Sequence, residues 1–211
     1  KGAILEYPDD SKIGRNISEV GLPKRRWVCF SHWRRGMSEE DIVEYLGTGR
    51  AAHTMAMSRM GEVVGYSTQL MREEDLRAIA VYLKYLDDEP RDTHEAPEEA
   101  TMRTGEALYF DNCAACHRSD GAGVDHIFAR LDGSNKINSD EATTIIRVVL
   151  EGARAQPTER WPHGLAMPAF SWKLTDEQIA DVLNYVRHAW GNNARLIDAS
   201  EVADLREYLE E

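Results

Sequence analysis

Cys113-Ala114-Ala115-Cys116-His117 is the stretch whose reading decides the fold. It fits the C-x-x-C-H pattern of a covalent haem attachment site. On a helical turn, residues three apart share a face, so both sulfurs would meet one porphyrin edge and His117 would offer its imidazole to iron. With both axial positions filled by protein, such an iron carries electrons rather than binding substrate. Two other readings stand beside this one: a redox disulfide and half of a zinc site. Cys29, the remaining cysteine, stands alone, and no βαβ pattern surrounds the motif.

Outward from the motif, Tyr109 lies one turn before Cys113, on a helix expected from Gly105 to Cys116. Gly105 would allow close approach to a terminal helix near Tyr185 and Val186. That helix starts with a capping box, Thr175 to Gln178. It carries Ile179, Val182, Leu183, Val186 and Trp190 on one face, with Gly191 as its stop. Asn138 with Glu141 is read as the cap of an earlier helix bearing Ile145, Ile146, Val149 and Leu150. Met167, in Ala166-Met167-Pro168-Ala169-Phe170, lies 50 residues beyond His117 in a proline-flanked loop. Its soft thioether makes it the candidate second axial ligand. His126 and His163 are the rival ligands, and Arg154, Trp161 and Gly121-Ala122-Gly123 are candidate haem neighbours.

The chain repeats itself at about 104 residues. Leu174 to Val186 matches Leu70 to Leu83, Ser38 to Leu46 parallels Ala142 to Leu150, and Met60 takes the place of Met167. Leu76, Ile79, Ala80 and Leu83 form the helical stripe of the first half. The polar, acidic stretch 87–100 carries two prolines and separates the halves. The expected fold is all-α. Two tandem cytochrome c-like helical domains follow, 1–88 without C-x-x-C-H and 101–192 with it. A linker at 89–100 joins them, and 193–211 forms an acidic C-terminal helical tail.

The 211 residues carry 37 acidic and 25 basic side chains, a formal net charge of −12. That balance argues against nucleic acid and anionic membrane surfaces. A basic–aromatic cluster, Lys24, Arg25, Arg26, Arg34 and Arg35 around Trp27, Phe30 and Trp33, is read as a docking surface or ordered loop. No apolar run reaches membrane-spanning length. No signal peptide is visible, and the start at Lys1 suggests a mature or trimmed product. Because cytochrome c maturation occurs outside the bacterial cytoplasm, the motif implies an exported, periplasmic protein.

The second half resembles the last haem domain of the cytochrome c subunit of bacterial membrane-bound alcohol and gluconate dehydrogenases. Tyr109 to His117, Gly121-Ala-Gly-Val, Ile146-Arg-Val-Val-Leu, Ala166 to Phe170 and Ala180 to Arg187 carry the likeness. The first half is similar to part of that family's middle domain, through Tyr45 to Arg50, Met60 to Val64, Tyr66 to Gln69 and Asp75 to Lys84. The resemblance implies class I-like cytochrome c domains in a subunit for electron transport rather than an enzyme in its own right. It implies a periplasmic dehydrogenase as donor, and another cytochrome, an oxidase or a quinone-linked acceptor downstream. The expected cofactor is one covalently bound haem c, held by Cys113, Cys116, His117 and Met167, with the metal on His117 and Met167. Family members carry three haems, whereas this chain has one motif. The repeat would place a second near Asp9-Asp-Ser-Lys-Ile13, where none stands, or upstream of Lys1. Cys29-Phe-Ser-His32 has the wrong spacing. A haem enzyme with a labile distal ligand (a peroxidase or sulfur-compound oxidase) and a tethering subunit are the alternative functions.

Overall fold

A computed structural model of the chain describes residues 37–85 and 92–210. The readings placed on Cys29, on the cluster at 24–35 and on residues 9–13 fall outside those residues. The described chain is helical, with only two short antiparallel hairpins, and the side chains gather into two hydrophobic cores. This is the all-α class expected. No described helix is long and apolar enough to cross a membrane.

The N-terminal core forms around α1 (Glu39–Thr48) and α3 (Glu73–Tyr85). Ser38 and Asp41 make a reciprocal capping box, and three acids in the first turn of α1 complement the helix dipole. Gly49 ends the helix at φ +81°, a left-handed cap that only glycine adopts without strain. Ile42, Tyr45 and Leu46 then face Leu76, Ala80 and Leu83, with Ile79 half-buried beside them. Between these helices lie β1 (Arg50–Ala51), β2 (Thr54–Met55) and α2 (Ser58–Tyr66).

The C-terminal core is built on the crossing of α4 (Glu99–Asn112) with α7 (Asp176–Val186). A Cβ on Gly105 would lie 2.6 Å from the Tyr185 Cβ and closer still to the Asp181 carbonyl, so glycine sets the crossing distance. The Thr175–Gln178 capping box is present. So are Ile179, Val182, Leu183 and Val186 in the core, while α6 (Thr143–Glu151) adds Ile145, Ile146 and Leu150. The α4 helix turns over into α5 (Ala114–His117), and a hairpin of β3 (Ala153–Arg154) and β4 (Ala166–Met167) follows α6.

Two readings of helix ends and one of the C-terminal tail need correction. Helix α6 starts at Thr143, not at Asn138. Asn138 is instead buried, donating to Ser134 and Asn192, while Glu141 accepts from Thr143. Helix α7 ends at Val186, and Trp190 sits beyond it at φ +55° in a turn of 3₁₀ helix. That kink folds the indole back, so Trp190 still meets Tyr109 and Tyr185, with ring centroids 5.1 and 5.7 Å away. The C-terminal segment is helical as expected, as α8 (Ala199–Glu210), but it is part of the core. Val202 is fully buried, and Arg206 donates to Asp176 and to the carbonyls of Ser171 and Leu174.

Candidate haem site

Helix α4 delivers the motif. Its last turn caps on Cys113, whose N–H reaches the Tyr109 carbonyl. Cys116 and His117 then turn back onto the Cys113 carbonyl at 3.1 and 2.9 Å. Both cysteines are free, Cys113 half-buried and Cys116 exposed. Burial pushes the Cys113 thiol up to about 11, with Cys116 adding to the shift and Lys173 opposing it. A redox-active C-x-x-C cysteine needs the opposite, a thiol depressed toward neutrality. A structural zinc would need more ligands, and no group of three or more His, Cys, Asp and Glu is gathered among the described residues.

The His117 Nδ1 lies 2.8 Å from the Ala129 carbonyl. A carbonyl only accepts, so Nδ1 carries the proton and donates, which leaves the Nε2 lone pair free. Burial holds the imidazole below its ordinary range, with the Ala129 bond working the other way. The result is a neutral imidazole of fixed tautomer and orientation, as an axial ligand requires.

The loop 118–132 places Ala129 for this task. Its Gly121 N–H and carbonyl bond Arg118 and Leu131, and the Gly123 N–H donates to the His117 carbonyl. Gly121 and Gly123 have φ of +68° and +65°, and a Cβ on Gly121 would strike the Trp190 ring at 2.5 Å. The Tyr109 hydroxyl, held well above its usual range by burial, ties the Arg118 carbonyl at 2.6 Å.

Met167 sits on β4, paired with Ala153, half-buried against the same core as Cys113 and Ala114. Gly152 admits this strand, since a Cβ there would lie 2.5 Å from the Met167 carbonyl. The rival ligands are placed otherwise. The His126 Nε2 lies 3.1 Å from Glu44, and His163 is exposed. The hairpin register also revises the repeat. Ala153 opposes Met167, and Arg50, likewise the first residue after a helix-capping glycine, opposes Met55. Met55, not Met60, therefore holds the position of Met167, while Met60 lies on α2 half-buried against the N-terminal core.

Trp161 has a buried Nε1–H without a hydrogen-bond partner. A buried N–H left so costs about 1–3 kcal/mol. The propionate of a haem is an acceptor of the right kind. Two free thiols on one turn, a neutral imidazole with an open Nε2, a soft thioether and an orphaned indole N–H together fit a haem. Arg154, in contrast, is exposed.

Sequence reasoning missed two contributors. The Ala129 carbonyl has no sequence signal, because any residue supplies one. Arg50 is only 6 % exposed, and its guanidinium lies 4.5 Å from the Trp161 ring centroid. Its place beside Gly49, at the end of a repeated helix, was the one available hint.

Residues 102–190 match the family model for Cytochrome c. The alcohol dehydrogenase (quinone) cytochrome c subunit of Gluconobacter oxydans (strain 621H) is 37% identical over 203 residues, 91% of this chain and 40% of that protein. The gluconate 2-dehydrogenase cytochrome c subunit of Pantoea cypripedii is 35% identical over 184 residues, 80% of this chain and 41% of that protein. The chain thus spans less than half the length of these dehydrogenase subunits. Cytochrome c6 of Synechococcus elongatus is 38% identical over 88 residues, which cover 88% of that protein and 41% of this chain. The motif geometry and these likenesses agree: the chain belongs to the cytochrome c family and binds haem c covalently.

Proposed function

We infer that this chain relays single electrons in a periplasmic dehydrogenase complex, from a partner dehydrogenase to a downstream cytochrome, oxidase or quinone-linked acceptor. The observation that carries the reading is the half-buried His117 imidazole, locked by Ala129 with Nε2 free, directly after two unpaired thiols. Cys113 and Cys116 would hold the haem covalently, and His117 and Met167 would supply the ligands of its iron. When bound, haem c supplies a one-electron couple, its iron alternating between ferric and ferrous. The protein's own task is to keep both ligands in place, so that little reorganises as one electron enters and one leaves. The Ala129 bond and the Gly152 contact do this for the two ligands, and the thioether raises the reduction potential.

The relatives named for alcohol and gluconate oxidation support a dehydrogenase as donor. Export to the periplasm is supported by the covalent haem itself, which is attached outside the cytoplasm. The N-terminal unit is read as haem-less, so the intact mass of the purified chain should show one haem. Met167→Ala should abolish the weak red-edge band of the ferric spectrum and lower the midpoint potential. A ferric spectrum already high-spin in the unmutated protein, or unchanged by Met167→Ala, would remove Met167 from the iron and reopen the labile-ligand enzyme.

A further inference from the structure

The N-terminal unit meets the C-terminal one through backbone carbonyls and through side-chain pairs, His53 with Asp125 and Glu44 with His126. The carbonyls of Ala52 and His53 accept from His126 and Arg130 at 3.2 Å, and the Thr48 carbonyl accepts from the Thr158 hydroxyl at 2.9 Å. Arg50 stands at the centre of this contact. Its Nη1 donates to the His126 carbonyl at 3.0 Å and its Nη2 to the His163 carbonyl at 2.9 Å, with the Trp161 ring against the guanidinium.

Among the described residues no carboxylate pairs with Arg50. A buried cation held only by neutral carbonyls and a ring is costly unless an anion compensates it. The indole against it has a buried N–H that lacks an acceptor. Two independent deficits, a positive charge without a counter-charge on Arg50 and a donor without an acceptor on Trp161, thus lie in contact. A carboxylate meets both, and guanidinium and carboxylate suit each other geometrically.

Resting on the haem reading above, we propose that Arg50 is a positioning residue of the haem site supplied by the N-terminal unit. It orients Trp161 and sets its own charge beside the haem propionates, so that docking of the first unit raises the reduction potential of the second. The sign follows from charge. Ferric haem carries one more positive charge than ferrous, so a nearby cation disfavours the ferric form. Burial draws the Arg50 guanidinium below its usual range, yet arginine remains protonated at neutral pH.

The test is a spectroelectrochemical titration of the haem-loaded chain and its variants. Arg50→Gln should keep covalent haem and the His/Met spectrum. Its ferric-to-ferrous ratio at fixed ambient potential should rise about fivefold or more, the scale of removing one partly buried unit charge. Arg50→Lys should rise less. Gln69→Ala cuts another contact across the same interface, the Glu159 N–H to Gln69 Oε1 bond, without touching Arg50 or Trp161, and should leave the ratio unchanged. Should Arg50→Gln fail to accumulate, Trp161→Phe carries the test, since it keeps the ring but deletes the N–H and should shift the ratio the same way. A wild-type ratio in Arg50→Gln or in Trp161→Phe overturns the proposal, as does an equal shift in Gln69→Ala. Absence of covalent haem from the unmutated chain would instead sink the haem-relay reading, a separate result.

Discussion

Gly105→Ala sets two effects of opposite sign against each other. In an exposed helix interior, replacing glycine by alanine stabilises by about 0.5–1 kcal/mol, through lost unfolded-state freedom. At Gly105 the new methyl would lie 2.6 Å from the Tyr185 Cβ and nearer to the Asp181 carbonyl. Neither neighbour is the far end of a flexible chain, so neither can swing aside. To reach ordinary contact, α4 and α7 must separate by about 1 Å, and forced overpacking of this kind costs about 1–3 kcal/mol. With a backbone carbonyl as the obstacle the upper end applies, which leaves a net loss of about 2 kcal/mol after the propensity gain. For a chain of this size that is a fall of about 4–8 °C in thermal midpoint. Circular dichroism melts of both haem-loaded proteins measure it. Gly47→Ala, also helical, is the control, because its methyl would meet only the Leu76 Cδ1 at 3.2 Å. It should be neutral or stabilising. A Gly105→Ala midpoint at or above wild type would refute the close-crossing account of the fold.

Cys113→Ser or Cys116→Ser should weaken or abolish covalent haem, read by haem staining of denatured protein. Unchanged staining would contradict the attachment site. Arg187, fully buried, donates to the carbonyls of Ile137, Ser139 and Arg195, and burial lowers its guanidinium to about 10. Arg187→Leu strands those carbonyls and should cost about 3–5 kcal/mol in denaturant unfolding. A loss within 1 kcal/mol would show that water replaces the guanidinium. Glu201 is held below its ordinary 4.5 chiefly by the Arg195 hydrogen bonds. Its contribution is therefore complete above that pH and lost as pH falls through the lower folded value. Glu201→Gln should flatten the acid limb of a stability profile between pH 3 and 6, and parallel profiles would show the pair contributes nothing.

How much of this was legible in the sequence depended on how local the signal was. The attachment motif, the Thr175–Gln178 box and the close approach at Gly105 rest on spacings within one helix or on a missing side chain, and each emerged in place. The α6 cap failed because Asn138 had a better use. Its amide bonds Asn192, 54 residues away, and no local pattern announces that competition. Trp190 was assigned to the α7 face on periodicity alone, but the backbone leaves the helix before it. The Met60 assignment failed for a related reason. Aligning repeats by sequence fixes the helices, whereas strand register is set by pairing, and pairing opposes Arg50 to Met55.

That register gives the two repeats corresponding turns. Each core ends a helix at a positive-φ glycine, Gly49 or Gly152, and at once enters an antiparallel pair of two-residue strands. In the C-terminal hairpin the post-glycine residue is Ala153, small enough to leave Met167 at the edge of its core, half-exposed where a ligand is useful. In the N-terminal hairpin the same position holds Arg50, and its partner Met55 is buried. This hairpin presents its backbone carbonyls and one cation, and the loops carrying His126 and His163 take them up.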